Sequence, residues 1–240
     1  MTNLTQKEQK QIVGKVAIDR LIQKKLIFSG MKIGLGTGST AQSAITRLAE
    51  RIADGTLSNV KAVSTSFQTS IACEEYEIPV YTLNSKIIDG KLDLAIDGAD
   101  EISPGKYLIK GGGAAHVKEK IVEYNAKKLV IIADESKMVE SLGTGFALPV
   151  EVIADARIPV TQALEKLGAK CVLREGVKKC GPVITDNGNQ IIDCIWENPV
   201  NPAKFEDVIN SITGVVENGF FTKQTPLVFI AHSDGSVQEL

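Results

Sequence analysis

Histidine is almost missing from this chain: only His116 and His232 occur in 240 residues. The four cysteines, Cys73, Cys171, Cys180 and Cys194, include no Cys-x-x-Cys spacing. Zinc sites draw on closely spaced cysteines and histidines, so no metal centre is expected. The cysteines read as reduced thiols of a cytoplasmic protein. Long apolar runs are also lacking. The longest, Leu129 to Ala133 and Leu227 to Ala231, are strand-sized. A membrane-crossing helix needs about 20 apolar residues, so no membrane association is expected. The opening "MTNLTQKEQKQ" is too polar for a secretory signal. Nor does charge of one sign dominate: 27 Lys and Arg against 29 Asp and Glu give a formal charge of −2. The basic clustering that nucleic-acid binding requires is absent, as are solenoid-period repeats and low-complexity tracts. What remains, 43% hydrophobic and 23% charged residues, is the balance of a globular protein of one large domain or two smaller ones.

Helical spacing of Val13, Val16, Ala17 and Leu21 predicts an opening helix over roughly residues 6–25. "MKIGLGTGSTAQSAITRLAERIADG" reads as a strand, a glycine turn and a helix that stops at Gly55. Strands are expected at "VKAV", "PVYTL", "LDLAI", "YLI" and "LVIIA", and helices at "QTSIACEEY" and "AAHVKEKIVEYNAKK". This alternation predicts the α/β class, with an open, mostly parallel Rossmann-like sheet covered on both faces. After about residue 145 the order becomes strand "VEVIA", helix "IPVTQALEKLG", strand "KCVLRE", strand "ITDNGNQIIDCIW", helix "NPAKFEDVINSI" and strand "GVVENGFF". That is the split ferredoxin-like unit, with a hairpin-type turn at Asp186-Asn-Gly. A last apolar strand, "PLVFIA", is free to return to the first sheet. The expected organisation is a Rossmann-like domain of residues 1–145 plus 223–240, with a smaller α+β domain, 146–222, inserted in it.

Five segments, "GLGTGST", "VSTS", "IDGADE", "IKGGG" and "ADESK", each follow the carboxyl end of an expected strand. In an open parallel sheet that edge is where ligands bind. The glycines of "GLGTGST" let backbone approach an anion, with a helix N-terminus offering N–H donors behind Ser39 or Thr40. A phosphate suits this turn. A dinucleotide is the rival reading, but its fingerprint requires an acidic residue after the second strand, where this chain has "VSTS". A purely structural turn is the third reading. The paired Asp97 and Asp100 suggest perturbed ionisation or binding of sugar hydroxyls. A divalent metal is the alternative, against which nearby Lys110 and the phosphate-like loop argue, and Glu101 alone reads as part of a solvated turn. Lys110-Gly111-Gly112-Gly113 sets a cation beside a donor-rich turn. In the following helix Val117, Ile121 and Tyr124 share a face and Glu119 points away, so the helical wheel alone makes Glu119 a solvated surface carboxylate. His116 reads as structural. Lys137 reads equally as an exposed lysine or an anion-binding one.

"GLGTGSTA", "DGADEI", "KGGGAA" followed by "KEKI", "ADESK" and "TDNGNQIID" together resemble the A-type ribose-5-phosphate isomerases, in the family's order, with "LPVEVI" and "GVVENGFF" extending the match. The resemblance implies an aldose–ketose isomerase of the pentose phosphate pathway that interconverts D-ribose 5-phosphate and D-ribulose 5-phosphate through an enediolate. It implies no cofactor, no metal, a small sugar phosphate as ligand, a cytoplasmic location and a homodimer. Carried over position by position, Thr37, Gly38, Ser39 and Thr40 match the phosphate-side loop. Asp97 and Asp100, with Gly98 and Ala99 between them, match the paired aspartates. Lys110, Gly111, Gly112 and Gly113 match the lysine–glycine turn, and Lys137 a second substrate-binding lysine. Glu119 matches the catalytic base, with Asp97 and Lys110 as its catalytic companions. His116, Val117, Lys118 and "GFFTKQTP" depart from the usual family residues, and neither His116 nor Lys10 receives a role. Three other classes compete. A sugar-phosphate-sensing repressor domain normally carries a pair of DNA-binding helices, and a nicotinamide-dependent dehydrogenase would respond to reduced cofactor. An aminosugar-phosphate isomerase–deaminase would release ammonia.

Overall fold

The computed structural model describes residues 3–240. In chain order its first elements are α1 (Gln6–Gln23), β1 (Lys32–Leu35), α2 (Ser39–Ala53), β2 (Lys61–Ser64), α3 (Phe67–Glu75), β3 (Leu94–Asp97), β4 (Glu101–Ile102), β5 (Leu108–Ile109), α4 (His116–Tyr124) and β6 (Leu129–Asp134). There follow β7 (Leu148–Val152), α5 (Arg157–Lys166), β8 (Ala169–Leu173), β9 (Gln190–Trp196), α6 (Pro202–Asn210), β10 (Val215–Asn218), β11 (Phe220–Phe221), β12 (Leu227–Ala231) and β13 (Val237–Glu239). Two compact units result. One takes the chain as far as Gly98, Lys118–Ser136 and Pro226–Leu240; the other takes Ala99–Val117 and Lys137–Thr225. The sequence-based boundaries, 1–145 plus 223–240 and 146–222, differ in leaving 99–117, 137–145 and 223–225 with the first unit.

The first unit is built on a six-stranded sheet of order β13-β12-β6-β3-β1-β2. All pairings are parallel except β12 with β13. The expected return of "PLVFIA" to this sheet is therefore observed. From β1 the chain steps outward to β2, then crosses back to β3 on the other side. That reversal makes the β1/β3 boundary a topological switch point, where the loops after the two strands part and leave a crevice. Helix α1 begins with a capping box between Thr5 and Glu8 and crosses α2 at Gly14. A Cβ there would meet Ser43 Oγ at 1.9 Å and the Ala44 nitrogen at 2.6 Å, so only glycine permits so close a crossing.

In the second unit, β7 to β10 form an antiparallel sheet of order β10-β7-β9-β8. With α5 and α6 this is the expected βαββαβ arrangement. The Asp186-Asn-Gly turn has a further purpose. Glu151, fully buried on β7, accepts hydrogen bonds at Oε1 from Thr185 Oγ1 (3.0 Å), Asn187 Nδ2 (3.0 Å) and Asn189 Nδ2 (2.8 Å). The motif "TDNGNQ" thus gathers three donors on one oxygen of a carboxyl group that the core has removed from water, while Oε2 is buried without a hydrogen bond.

Three expectations fail in instructive ways. "PVYTL" is no strand. It makes a single bridge, Val80 to Ala62, before turns between Thr82 and Asp89 carry it away from the edge of the sheet. "YLI" does not join the parallel sheet. Residues 103–107 connect β4 to β5 too briefly for a crossover, so the two pair antiparallel, in a three-stranded sheet with β11. "GVVENGFF" is two strands in two sheets, broken at Gly219, where a Cβ would lie 2.4 Å from the Lys110 carbonyl oxygen.

Candidate active site

The expected site residues fall into two sets, one in each unit. In the first, Gly36 follows β1 and donates its N–H to Ile96 of β3 at 2.9 Å. Asp97 ends β3 and is 1% exposed. Its Oδ1 accepts the N–H groups of Thr37 (3.0 Å) and Gly98 (2.7 Å). A Cβ on Gly36 would stand 1.9 Å from that same oxygen. Gly36 is therefore the vacancy into which Asp97 fits, and the glycine loop and the first aspartate form one structure at the switch point. Gly38, at φ 97°, is the N-cap of α2 and supplies no side-chain cap. The first turn of α2 is consequently left with N–H donors and the positive end of the helix dipole, which suits an anion. Thr40 lies close by: a Cβ on Gly98 would be 3.8 Å from Thr40 Cβ.

The end of β2 contributes residues that sequence reasoning noticed only as a loop. Thr37 Oγ1 lies 2.7 Å from Thr65 Oγ1 and from Ser66 Oγ, and 3.2 Å from Thr69 Oγ1. Thr69 Oγ1 in turn donates to the Gly36 carbonyl at 2.7 Å. Where a dinucleotide fold places an acidic residue for a ribose, this chain places hydroxyls that brace the loop after β1. The dinucleotide reading of "GLGTGST" loses its support here.

Helix α4 keeps Val117 buried as expected but departs from its expected burial at Ile121 and Glu119. Ile121 is 49% exposed, whereas Glu119 is 5%, Lys120 4% and Glu123 0% exposed. The wheel reading of Glu119 as a solvated carboxylate is corrected. Its premise was that apolar residues alone mark the buried face, and in α4 buried Val117 and Val122 are accompanied by buried Glu119, Lys120 and Glu123. Lys118 places its ammonium 4.8 Å from the centre of the Phe67 ring, a cation–π contact within the usual range.

The second unit holds Ala99, Asp100, the lysine–glycine turn and Lys137. Because β5 lies in the three-stranded sheet, this turn does not follow a strand of the parallel sheet, unlike the other four segments. Lys110 is 2% exposed, with its ammonium 5.2 Å from the centre of the Phe221 ring. Its backbone N–H donates to Gly219 at 3.0 Å. Gly112 N–H donates to Asp100 Oδ2 at 2.7 Å. Gly111, at φ 108°, has no room for a side chain: a Cβ would lie 2.7 Å from His116 Nδ1 and from Pro149 Cγ. His116 is fully buried, with Nε2 3.3 Å from the Glu217 carbonyl oxygen. It packs under the turn, in line with its structural reading. Glu101 is not a solvated turn residue: it is 3% exposed and accepts from the N–H groups of Gly143 (2.6 Å) and Gly145 (3.1 Å). Lys137 is half-buried and ends a 3-10 turn, Glu135–Lys137.

Among the described residues no group of three or more His, Cys, Asp and Glu side chains could hold a metal. No described helix is long and apolar enough to cross a membrane.

Comparison with known proteins places the chain in a family. The profile of ribose 5-phosphate isomerase A (phosphoriboisomerase A) matches residues 61–235. Ribose-5-phosphate isomerase A of Treponema denticola is 60% identical over 233 residues, 96% of this chain and 98% of that protein. The enzyme of Treponema pallidum is 51% identical over 96% of this chain and 92% of its own. The solved structure of ribose 5-phosphate isomerase A from Methanocaldococcus jannaschii matches with a TM-score of 0.89 at 45% identity, covering 98% of this chain and 99% of that one. A D-ribose-5-phosphate isomerase in complex with phospho-erythronic acid matches with a TM-score of 0.91 at 39% identity, over 99% of both chains. Alike in sequence and in fold over nearly its whole length, the chain belongs to the ribose 5-phosphate isomerase A family.

Proposed function

We propose that this protein interconverts D-ribose 5-phosphate and D-ribulose 5-phosphate through an enediolate. One observation carries the reading: α4 withdraws Glu119 from water while leaving Ile121 exposed. A carboxylate held away from bulk water is a common setting for a general base, and that is the role assigned to Glu119. Glu119 takes the proton from C2 and returns it to C1, a transfer between adjacent carbons within reach of one carboxylate. The oxygen that gains charge is met by the Lys110 ammonium and by backbone donors of the glycine turn. Gly112 N–H is already committed to Asp100, which shapes the turn and retains a second carboxylate oxygen for a substrate hydroxyl. Asp97 assists ring opening and the proton exchange between O1 and O2. Thr37 to Thr40 and the first turn of α2 anchor the phosphate, and Lys137 adds a second cation for the substrate. Binding energy at the phosphate then positions the reacting carbons.

Hydrogen moves within one substrate, so the route calls for no redox cofactor and turnover should survive a chelator. The same reading makes the protein a cytoplasmic homodimer; sedimentation at micromolar concentration tests the dimer. Glu119→Gln should lower kcat by about 10²–10⁴ with the circular dichroism spectrum unchanged. Near-normal turnover would remove Glu119 as the base. Ribose without its phosphate should be a far poorer substrate, and equal catalytic efficiency for both sugars would remove the phosphate from the loop at Ser39 and Thr40.

A further inference from the structure

We propose that Arg174 and Asp193 are positioning residues for the oxyanion donors of the Lys110–Gly113 turn. The proposal rests on the isomerase reading above and extends its machinery into the α+β sheet. In the β8/β9 pairing Val172 faces Asp193 and Arg174 follows two residues on. The arginine and the aspartate are thus diagonal neighbours on one face of the sheet. Asp193 grips the guanidinium with both oxygens, Nε donating to Oδ2 at 2.8 Å and Nη2 to Oδ1. Both side chains are mostly buried, 16% and 22% exposed. A planar guanidinium held in this bidentate way has little freedom left. Its remaining nitrogen, Nη1, donates to two successive carbonyls of the glycine turn, Gly111 at 2.9 Å and Gly112 at 3.2 Å.

Peptide planarity gives these contacts a consequence. In a trans peptide the carbonyl of one residue and the N–H of the next point in opposite directions. Drawing the Gly111 carbonyl toward Arg174 therefore turns the Gly112 N–H away from it, onto Asp100 at 2.7 Å. Drawing in the Gly112 carbonyl turns the Gly113 N–H away as well. A run of three glycines would otherwise sample many peptide orientations. The guanidinium selects one of them, and its positive charge polarises both peptides so that their N–H groups donate more strongly. Asp100 and Arg174 thus hold the turn from opposite sides, leaving Gly113 N–H as the donor for the charge that develops during enolisation.

The test uses the full-length enzyme with Arg174→Lys, Asp193→Asn and the double variant. Lysine keeps the charge but cannot grip Asp193 and two carbonyls together. A donor displaced by about an ångström costs on the order of 10²-fold in rate, so kcat should fall by roughly 10- to 100-fold. KM and competitive inhibition by inorganic phosphate should stay within about twofold, because the phosphate loop is untouched. Two residues acting as one clamp are not additive, so the double variant should be no worse than the poorer single one. Free guanidinium ion should partly restore Arg174→Ala. Amide hydrogen exchange at Gly112 to Ala114 should accelerate by about tenfold or more in Arg174→Lys, a local opening that needs no activity to be seen. Unchanged exchange, or unchanged kcat with only a lowered melting temperature, would overturn the proposal. Accelerated exchange in a protein whose wild type does not isomerise ribose 5-phosphate would overturn the function and leave the clamp standing.

Discussion

At the scale of single residues, what the site requires is often a missing atom. Gly36 is the clearest case. Its absent Cβ is the space that Asp97 Oδ1 occupies, 1.9 Å from where that carbon would be, while Thr37 and Gly98 fix the same oxygen by hydrogen bonds. Gly36→Ala should push the carboxylate out of register. The expected loss is about 10²-fold in kcat/KM, the usual scale for displacement of a catalytic group by about an ångström. Steady-state kinetics on a variant of intact secondary structure checks this, and full activity would mean that Asp97 has another stable position. The run of glycines was legible in the sequence as a turn. That one of them exists to admit an aspartate 61 residues further on was not, because the spacing of two loops along the chain says nothing of their distance in space.

Elements show the same division. Two adjacent parallel strands, β6 and β12, end in loops that meet: Glu135 Oε1 accepts the Ser233 N–H at 3.0 Å, and Oε2 pairs with His232 Nδ1 at 3.0 Å. The hydrogen bond from Glu135 raises the His232 pKa above its ordinary 6.5, and the bond from His232 lowers that of Glu135 below 4.5. The stabilisation from the histidine is complete below pH 6.5 and fades as pH rises through its raised value. That from the glutamate is complete above pH 4.5 and fades as pH falls through its lowered value. His232→Gln should therefore lower the melting temperature more at pH 5.5 than at pH 8.5. The difference should shrink in high salt, since both groups are about one-third exposed. Equal shifts at both pH values would show that the pair contributes nothing. Helix α4 lies at the other extreme of legibility. Its existence followed from its pattern, but its orientation was misread. A helix whose buried face carries Glu119, Lys120 and Glu123 breaks the rule on which every wheel depends, and functional sites are where that rule gives way.

At the scale of the whole molecule, the second unit is assembled from two stretches of chain. Strand β11 pairs with β5, and the apolar core around β7 and β9 includes Ile109 and Leu142; β5, Ile109 and Leu142 lie outside a fragment of residues 146–222. Such a fragment would uncover the β5 side of Phe220 and Phe221, each 1% exposed in the full chain. At about 1.5–3 kcal/mol for each large apolar side chain, that loss is comparable with a small domain's entire stability. The fragment is expected to lack cooperative unfolding when followed by the fluorescence of Trp196, the chain's single tryptophan. A sharp transition would show that the βαββαβ sheet suffices alone.

The sequence by itself determined the order and type of most elements, the α/β class, the inserted βαββαβ unit and the family. These depend on periodicity and on short motifs, which are local properties. Tertiary structure alone decided that Asp97 seats against Gly36, that Asn187 and Asn189 solvate Glu151, and that Glu101 is buried. It also decided that Cys171 and Cys194, 23 residues apart, face each other across β8 and β9 at 3.8 Å, and that Arg174 reaches the glycine turn. Each is a contact between segments far apart in the chain. Such contacts are set by sheet order and register, and no spacing along the sequence encodes those. The "DGADEI" run shows both halves of the lesson. Its carboxylates could be read as gathered at the end of a strand, but the N–H groups that compensate them, from Thr37 and Gly98 for Asp97, Gly112 for Asp100, and Gly143 and Gly145 for Glu101, became visible only in the folded chain.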